Sequence, residues 1–187
     1  VGNSSGPSLT FEKARGNATT PANVQNDDTL GTVQFQGYNS SSAAPFESGA
    51  SIQGFIDGTP SQADNDMPGG LRFRTTSEGN GSVTTRMTIK STGKVGVGTE
   101  TPSYLLHVQG NSGGSGNTGM IAAEDYNSSS FLILRRANGN SGSPSNVSNG
   151  DQVGSISFGG YNSNDSALFE TGAQINAIID GTPSGAD

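Results

Sequence analysis

The chain has 187 residues, a formal net charge of −7 and no cysteine. The acidic balance gives no support to nucleic-acid binding, the missing thiols exclude disulfides and thiolate metal sites, and no apolar stretch approaches the ~18 residues that a membrane-inserted helix needs. Leu, Ile, Val and Phe together number 34, below the roughly 20% with which a chain builds a core of its own, so an ordered chain of this composition is expected to share burial with copies of itself or with a partner.

The 29 glycines and the many Ser, Asn and Thr residues favour short strands joined by turns, and an all-β fold. In chain order, strands are predicted at Ser8–Lys13, Thr32–Gly37, Ala50–Ile56, Leu71–Thr75, Thr85–Lys90, Lys94–Gly98 and Leu105–Gln109. A second series is predicted at Phe131–Arg136, Ser155–Gly160 and Ala173–Ile179. Leu71, Phe73 and Thr75 alternate with Arg72 and Arg74, and Met87 and Ile89 with Thr88 and Lys90, the pattern of half-buried antiparallel strands. Ser91-Thr92-Gly93 supplies a hairpin turn. Asp57-Gly58-Thr59-Pro60 and Asp180-Gly181-Thr182-Pro183 read as turns in which Gly relieves steric cost and Pro blocks further pairing. Pro102-Ser103-Tyr104 has the form of a single helical turn. Gly110–Gly119 is the clearest linker.

The second series is a copy of the first. Residues 31–64 and 154–187 align without a gap at an offset of 123, with 20 of 34 positions identical, and residues 1–64 against 124–187 give 30 identities in 64. Shared composition does not produce this. The expected organisation is a first β unit over 1–110, a Gly/Ser-rich joint and lead-in over 111–123, and a second unit over 124–187. Asp187 corresponds to Asp64, after which the first unit continues into the strand-like Gly70–Thr76, so the parent protein is expected to continue with something like NDMPGGLRFRTT. Val33 and Phe35 recur as Ile156 and Phe158, and Ile52 and Ile56 as Ile175 and Ile179. Phe55 recurs as Ile178 on the opposite strand face, which predicts burial on both faces: one in the module, one against a neighbouring chain.

Candidate sites weigh toward architecture. Gly93–Gly98 lacks the strand-loop-helix setting of a phosphate loop, and its glycines read as points of close backbone approach. His107, the single histidine, sits mid-strand in Leu-Leu-His-Val and reads as a packing residue near a symmetry axis rather than a catalyst. Asp57, Asp64, Asp66, Asp180, Asp187, Glu47 and Glu170 read as turn and surface carboxylates, with no EF-hand or nonapeptide calcium spacing and the glycosidase pair as the sharper alternative. Tyr38-Asn39 and Tyr161-Asn162 open the loops Asn39–Ala44 and Asn162–Ser166, which differ between copies while their flanks match, as a recognition surface for sugars would. No cofactor, metal or catalytic residue is expected. The residues expected to pack the core or a contact between chains are Val33, Phe35, Ile52, Phe55, Ile56, Leu106, His107, Val108, Ile175, Ile178 and Ile179.

Lys94–Gly110, KVGVGTETPSYLLHVQG, resembles the signature G-N-V-G-I-G-T-x-x-P-x-x-x-L-H-V of bacteriophage tail-fibre and appendage proteins. Gly96, Gly98, Thr99, Pro102, Leu106, His107 and Val108 carry the match, and Lys94 replaces the usual Asn. The likeness spans roughly residues 28–110 and, through the repeat, 151–187. It implies a fibrous, usually trimeric, β-rich shaft in the virion, in contact with itself and with adjacent fibre or baseplate proteins, that projects a receptor-binding tip. Many such proteins end in a self-cleaving intramolecular chaperone domain, which nothing here resembles and which would lie beyond Asp187. A glycan-binding adhesin module of a phage or of a bacterial or archaeal filament is the alternative, and a polysaccharide depolymerase acting through Glu47 or Asp57 a more distant one.

Overall fold

Residues 15 to 38 set the pattern. A two-residue hairpin, β1 (Arg15–Gly16) with β2 (Pro21–Ala22), leads into the ten-residue β3 (Thr29–Tyr38). β3 pairs with β4 (Phe46–Ile56), and the sheet then grows in sequence order through β5 (Gly69–Thr76), β6 (Val83–Ile89), β7 (Val95–Val97) and β8 (Leu106–Val108). The computed structural model describes residues 6–40, 45–61, 66–110, 121–126, 129–162 and 169–181, and all regular structure among them is β. The chain divides into two units, Val1–Ile121 and Ala122–Asp187.

Besides the unpredicted β1–β2 hairpin, the first unit departs from the expected strands in two places. Ser8–Lys13 forms no strand. Its apolar side chain is spent on the sheet's face instead: the Phe11 ring lies where a Cβ on Gly31 would stand, so only glycine at 31 admits it. The second departure is the last pair. Every other neighbouring pair in the sheet is antiparallel, but β8 runs parallel to β7, with Val95 opposite Leu106, Gly96 opposite His107 and Val97 opposite Val108. Parallel neighbours need a crossover rather than a hairpin. Here the short segment 98–105 makes it without the helical turn expected at Pro102. The chain leaves β7 at Gly98, whose φ is 78°. It folds back so closely over Gly96 that any Cβ there would collide with the Thr99 carbonyl.

Cross-strand register sorts the sheet into two unlike faces. One carries the row Val33, Ile52, Phe73, Met87, Val97, Val108 and the adjoining row Gly31, Gly54, Leu71, Ile89, Val95, Leu106. The other carries Thr32, Gln53, Arg72, Thr88, Gly96 and His107, with Phe55 opposite Gly70. The second face holds much of the core. Phe55 is fully buried, and the Arg72 guanidinium stacks on its ring with Cζ 3.7 Å from the centroid, a cation–π contact strengthened by desolvation. Gly70 makes room, since a Cβ there would strike the Phe55 ring. Glu100 in the crossover receives a 2.8 Å hydrogen bond from Arg72 Nε, and Thr88, Gly96 and Pro102 are buried.

The second unit repeats the first in its local detail. β9 (Asn138–Asn140) and β10 (Ser143–Ser145) form the small hairpin, and β11 (Gln152–Tyr161) and β12 (Phe169–Ile178) the long one. Both long hairpins break register at equivalent points, at Thr29/Gly31 and Phe35/Gln36 in one and Gln152/Gly154 and Phe158/Gly159 in the other. Phe131–Arg136 again forms no strand, and Leu134 lies over Gly154 as Phe11 lies over Gly31.

Candidate interaction surfaces

Three constellations recur or stand open, and none is an acid–base pair. The first ties the lead-in to the sheet. The Asp28 carboxylate accepts 2.6 Å hydrogen bonds from both Nε and Nη2 of Arg15 and one of 2.9 Å from the Gln25 N–H, with Lys13 Nζ at 3.6 Å. Arg15, then the Gln25 N–H, hold this carboxyl far below the usual carboxylate range. In the second unit the Ser148 N–H donates to Asp151 at 2.8 Å, Asn138 Nδ2 at 2.8 Å, and Arg136 Nη2 stands 3.0 Å away. The Ser148 N–H leads in lowering that carboxyl as well. The cation has moved: Arg15 becomes Asn138, and Lys13 becomes Arg136. The same loop is hydrogen-bonded to the end of the long hairpin's second strand, through Asp27 N–H to the Ile56 carbonyl at 2.8 Å and Ile56 N–H to the Asp28 carbonyl at 2.9 Å, and again through Gly150 N–H to Ile179 O and Ile179 N–H to Asp151 O. Sequence reasoning missed this clip. Its signal is the recurrence of Asp28 as Asp151 beside a lead-in that keeps one cation.

The second constellation closes each long hairpin. Tyr38 and Phe46 meet edge to face with centroids 5.7 Å apart at 69°, as do Tyr161 and Phe169. Beside each ring pair, Asn39 Nδ2 donates to Glu47 Oε2 at 3.2 Å, and Asn162 Nδ2 to Glu170 Oε1 at 2.8 Å. All four rings are exposed. The loops predicted from Asn39 and Asn162 onward lie mostly outside the described residues, as do Asp64 and Asp187.

Asp57 is a brace. Its carboxylate pairs with Lys90 and accepts a 2.7 Å hydrogen bond from the Ser91 N–H, while Ser91 Oγ donates to its carbonyl at 3.0 Å. Burial works against its ionisation, yet Lys90 and Ser91 outweigh it and hold the carboxyl below the usual range. Glu47 lies at the other end of β4, about 30 Å away by strand rise. The two carboxylates of a glycosidase stand within ~10 Å of each other, so Glu47 and Asp57 do not form such a pair.

The third constellation is the apolar face. The residues expected to pack the core or a contact between chains lie on both faces of the sheet. Val33, Phe35, Ile52, Leu106 and Val108 share the apolar face, whereas Phe55 and His107 belong to the opposite one, and Ile56 is buried against the Asp27–Asp28 loop. His107 finds its contacts in its own crossover: the Ser103 N–H donates to Nδ1 at 3.3 Å and the Tyr104 ring lies edge-on at 5.9 Å. Ile175 repeats Ile52, Ile178 repeats Phe55, and Ile179 repeats Ile56, with Ile175 and Ile178 both open. On the apolar face of the first unit, Phe11, Leu30, Gly31, Val33, Ile52, Gly54 and Leu71 line an open groove of about 270 Å³.

No protein-family model matches the chain, and no curated protein matches it. Among solved structures, the carboxy-terminal domain of the bacteriophage T5 L-shaped tail fibre is similar, with a TM-score of 0.57 and 14% identity over 91% of this chain and 71% of that one. At that identity the likeness is one of fold.

Proposed function

We propose that this chain is a structural module of a phage tail fibre or similar appendage, assembled as a homotrimer, which holds a receptor-binding tip away from the virion for host attachment. The single observation that carries the reading is the fold likeness to a phage tail-fibre domain along 91% of the chain. Two properties of the chain support it. Tandem repetition of one β unit builds length, because each unit needs chiefly its own neighbours. Among the described residues, the buried hydrophobic side chains are Val24, Phe55 and Ile56, a core too thin for a lone domain and suited to burial shared among copies. The work done is mechanical, and the module's neighbours are adjacent fibre or baseplate proteins. Light scattering on the purified chain tests this: a mass three times 18.9 kDa is expected, and a stable folded monomer contradicts it.

A second reading has one observation in its favour. Each hairpin presents an exposed aromatic pair beside an Asn–Glu hydrogen bond, which is the combination that stacks and orients a sugar ring. Binding of the intact assembly to a glycan array, lost on Tyr38→Ala with Tyr161→Ala, is its expected outcome; an array without hits contradicts it.

A further inference from the structure

The two faces of the first sheet differ in what covers them. The Phe55 face is closed by Arg72 and the crossover of the same chain. On the apolar face, by contrast, Val33, Ile52, Leu71, Val97 and Leu106 all remain exposed, and neither of its two long rows contains an ionisable side chain. We propose that this face is the surface by which copies of the chain associate, turned toward the same face of the other copies so that together they enclose a core that no single chain has. The inference rests on the trimeric reading above and names the surface that serves it.

Three observations favour a copy of the chain as the occupant. First, the open side chains on this face, with the ring of Phe35, present an apolar area on the order of 500 Å², the size of patch that marks an interaction surface. With the equivalent stripe of the second unit, each chain approaches the ~800 Å² that one partner contributes to a standard interface. Second, that stripe recurs at equivalent residues: Ile156, Phe158 and Ile175 stand open where Val33, Phe35 and Ile52 do. A partner that covers both must carry matching surface twice, and a copy of this chain does so by construction. Third, neither long row carries an ionisable side chain, so copies that meet along them desolvate no charge there; the nearest cation is Arg86, whose Nε donates to Thr75 Oγ1 at 2.9 Å beside the rows.

Gly54 gives the test its discrimination. It lies in the groove on this face between Ile52 and Leu71, and a Cβ there meets only the Leu30 side chain, at 4.0 Å. A larger residue therefore enters the groove without a clash inside one chain. Analytical ultracentrifugation of the wild type, Gly54→Ala and Gly54→Glu, each checked for β-sheet signal by circular dichroism, separates the outcomes. The expected result is an assembled wild type, an assembled Gly54→Ala (the second unit already carries Ala177 at this position) and a Gly54→Glu that keeps its β signal while at least nine-tenths of it sediments as monomer at ~10 μM. Val97→Glu, on a different strand of the same face, is expected to do the same and reads the face should Gly54→Glu lose its β signal. A folded glutamate variant that stays assembled beside an assembled wild type overturns the face and leaves the trimer reading standing. A monomeric wild type overturns both, and shows that something other than a copy covers the face.

Discussion

The long hairpins of the two units are built alike and buried unalike. Both place a Tyr–Phe ring pair 5.7 Å apart at 69° and both bulge at equivalent residues. Yet Phe55 is 0% exposed and its counterpart Ile178 is 63% exposed. The difference lies in the next strand of the sheet. In the first unit β5 brings Gly70 and Arg72 against the Phe55 ring, while among the described residues β12 has no partner beyond β11. Hairpin geometry is thus dictated locally, by glycine placement and cross-strand pairs, whereas burial is conferred by strands that arrive later in the chain.

The largest effect is expected where the two hairpins differ most. Phe55→Ala removes a fully buried ring and costs about 3–5 kcal/mol in denaturant unfolding, while Ile178→Ala costs less than ~1 kcal/mol; equal losses would break the distinction between the hairpins. Acid acts on both units through the same clip. The folded-state carboxyls of Asp28 and Asp151 lie below the usual range, so their stabilisation is complete above the unfolded value of about 3.9 and is lost as pH falls through the folded values. The melting temperature should be flat from about pH 7 to 5 and fall below about pH 4, and Asp28→Asn should make that fall shallower. A melting temperature unchanged at pH 3 would show that the clip contributes no stability. Thr88→Val should raise stability by about 1 kcal/mol, because the fully buried Thr88 Oγ1 has no hydrogen-bond partner and its desolvation goes uncompensated. The smallest effect is expected for Asp27→Gly. Asp27 holds φ at 65° where the second unit has Gly150 at 83°, so relief of backbone strain offsets loss of the exposed ion pair with Arg72 to within ~1 kcal/mol.

Much of this fold is written in local pattern. The alternation of Leu71, Phe73 and Thr75 with arginines places β5, and the 123-residue offset relates the hairpins before any coordinate is known. What escaped was non-local. Ser8–Lys13 has a strand's composition, but Phe11 is consumed by Gly31 rather than by a ladder. The parallel β8 depends on how closely Thr99 folds over Gly96, which no periodicity reports. Strand parity sets Phe55 on the opposite face from Ile52, but periodicity does not report which face the crossover covers, and so not where His107 packs. The Asp28 clip went unread because Arg15, thirteen residues upstream, reaches the carboxylate only once the lead-in has folded back.

The Phe55 face is closed within the chain, and the proposed closure of the Ile52 face between chains is open to direct measurement. The chain has no native cysteine, so a single introduced thiol reports on one position. Thiol-reaction rates of Ile52→Cys and of Thr92→Cys, in the exposed turn after β6, should be compared across a dilution series. Closure between chains predicts slow reaction at position 52 that accelerates as the assembly dissociates, and fast reaction at 92 at every concentration. Equal rates at the two positions, independent of concentration, would contradict it.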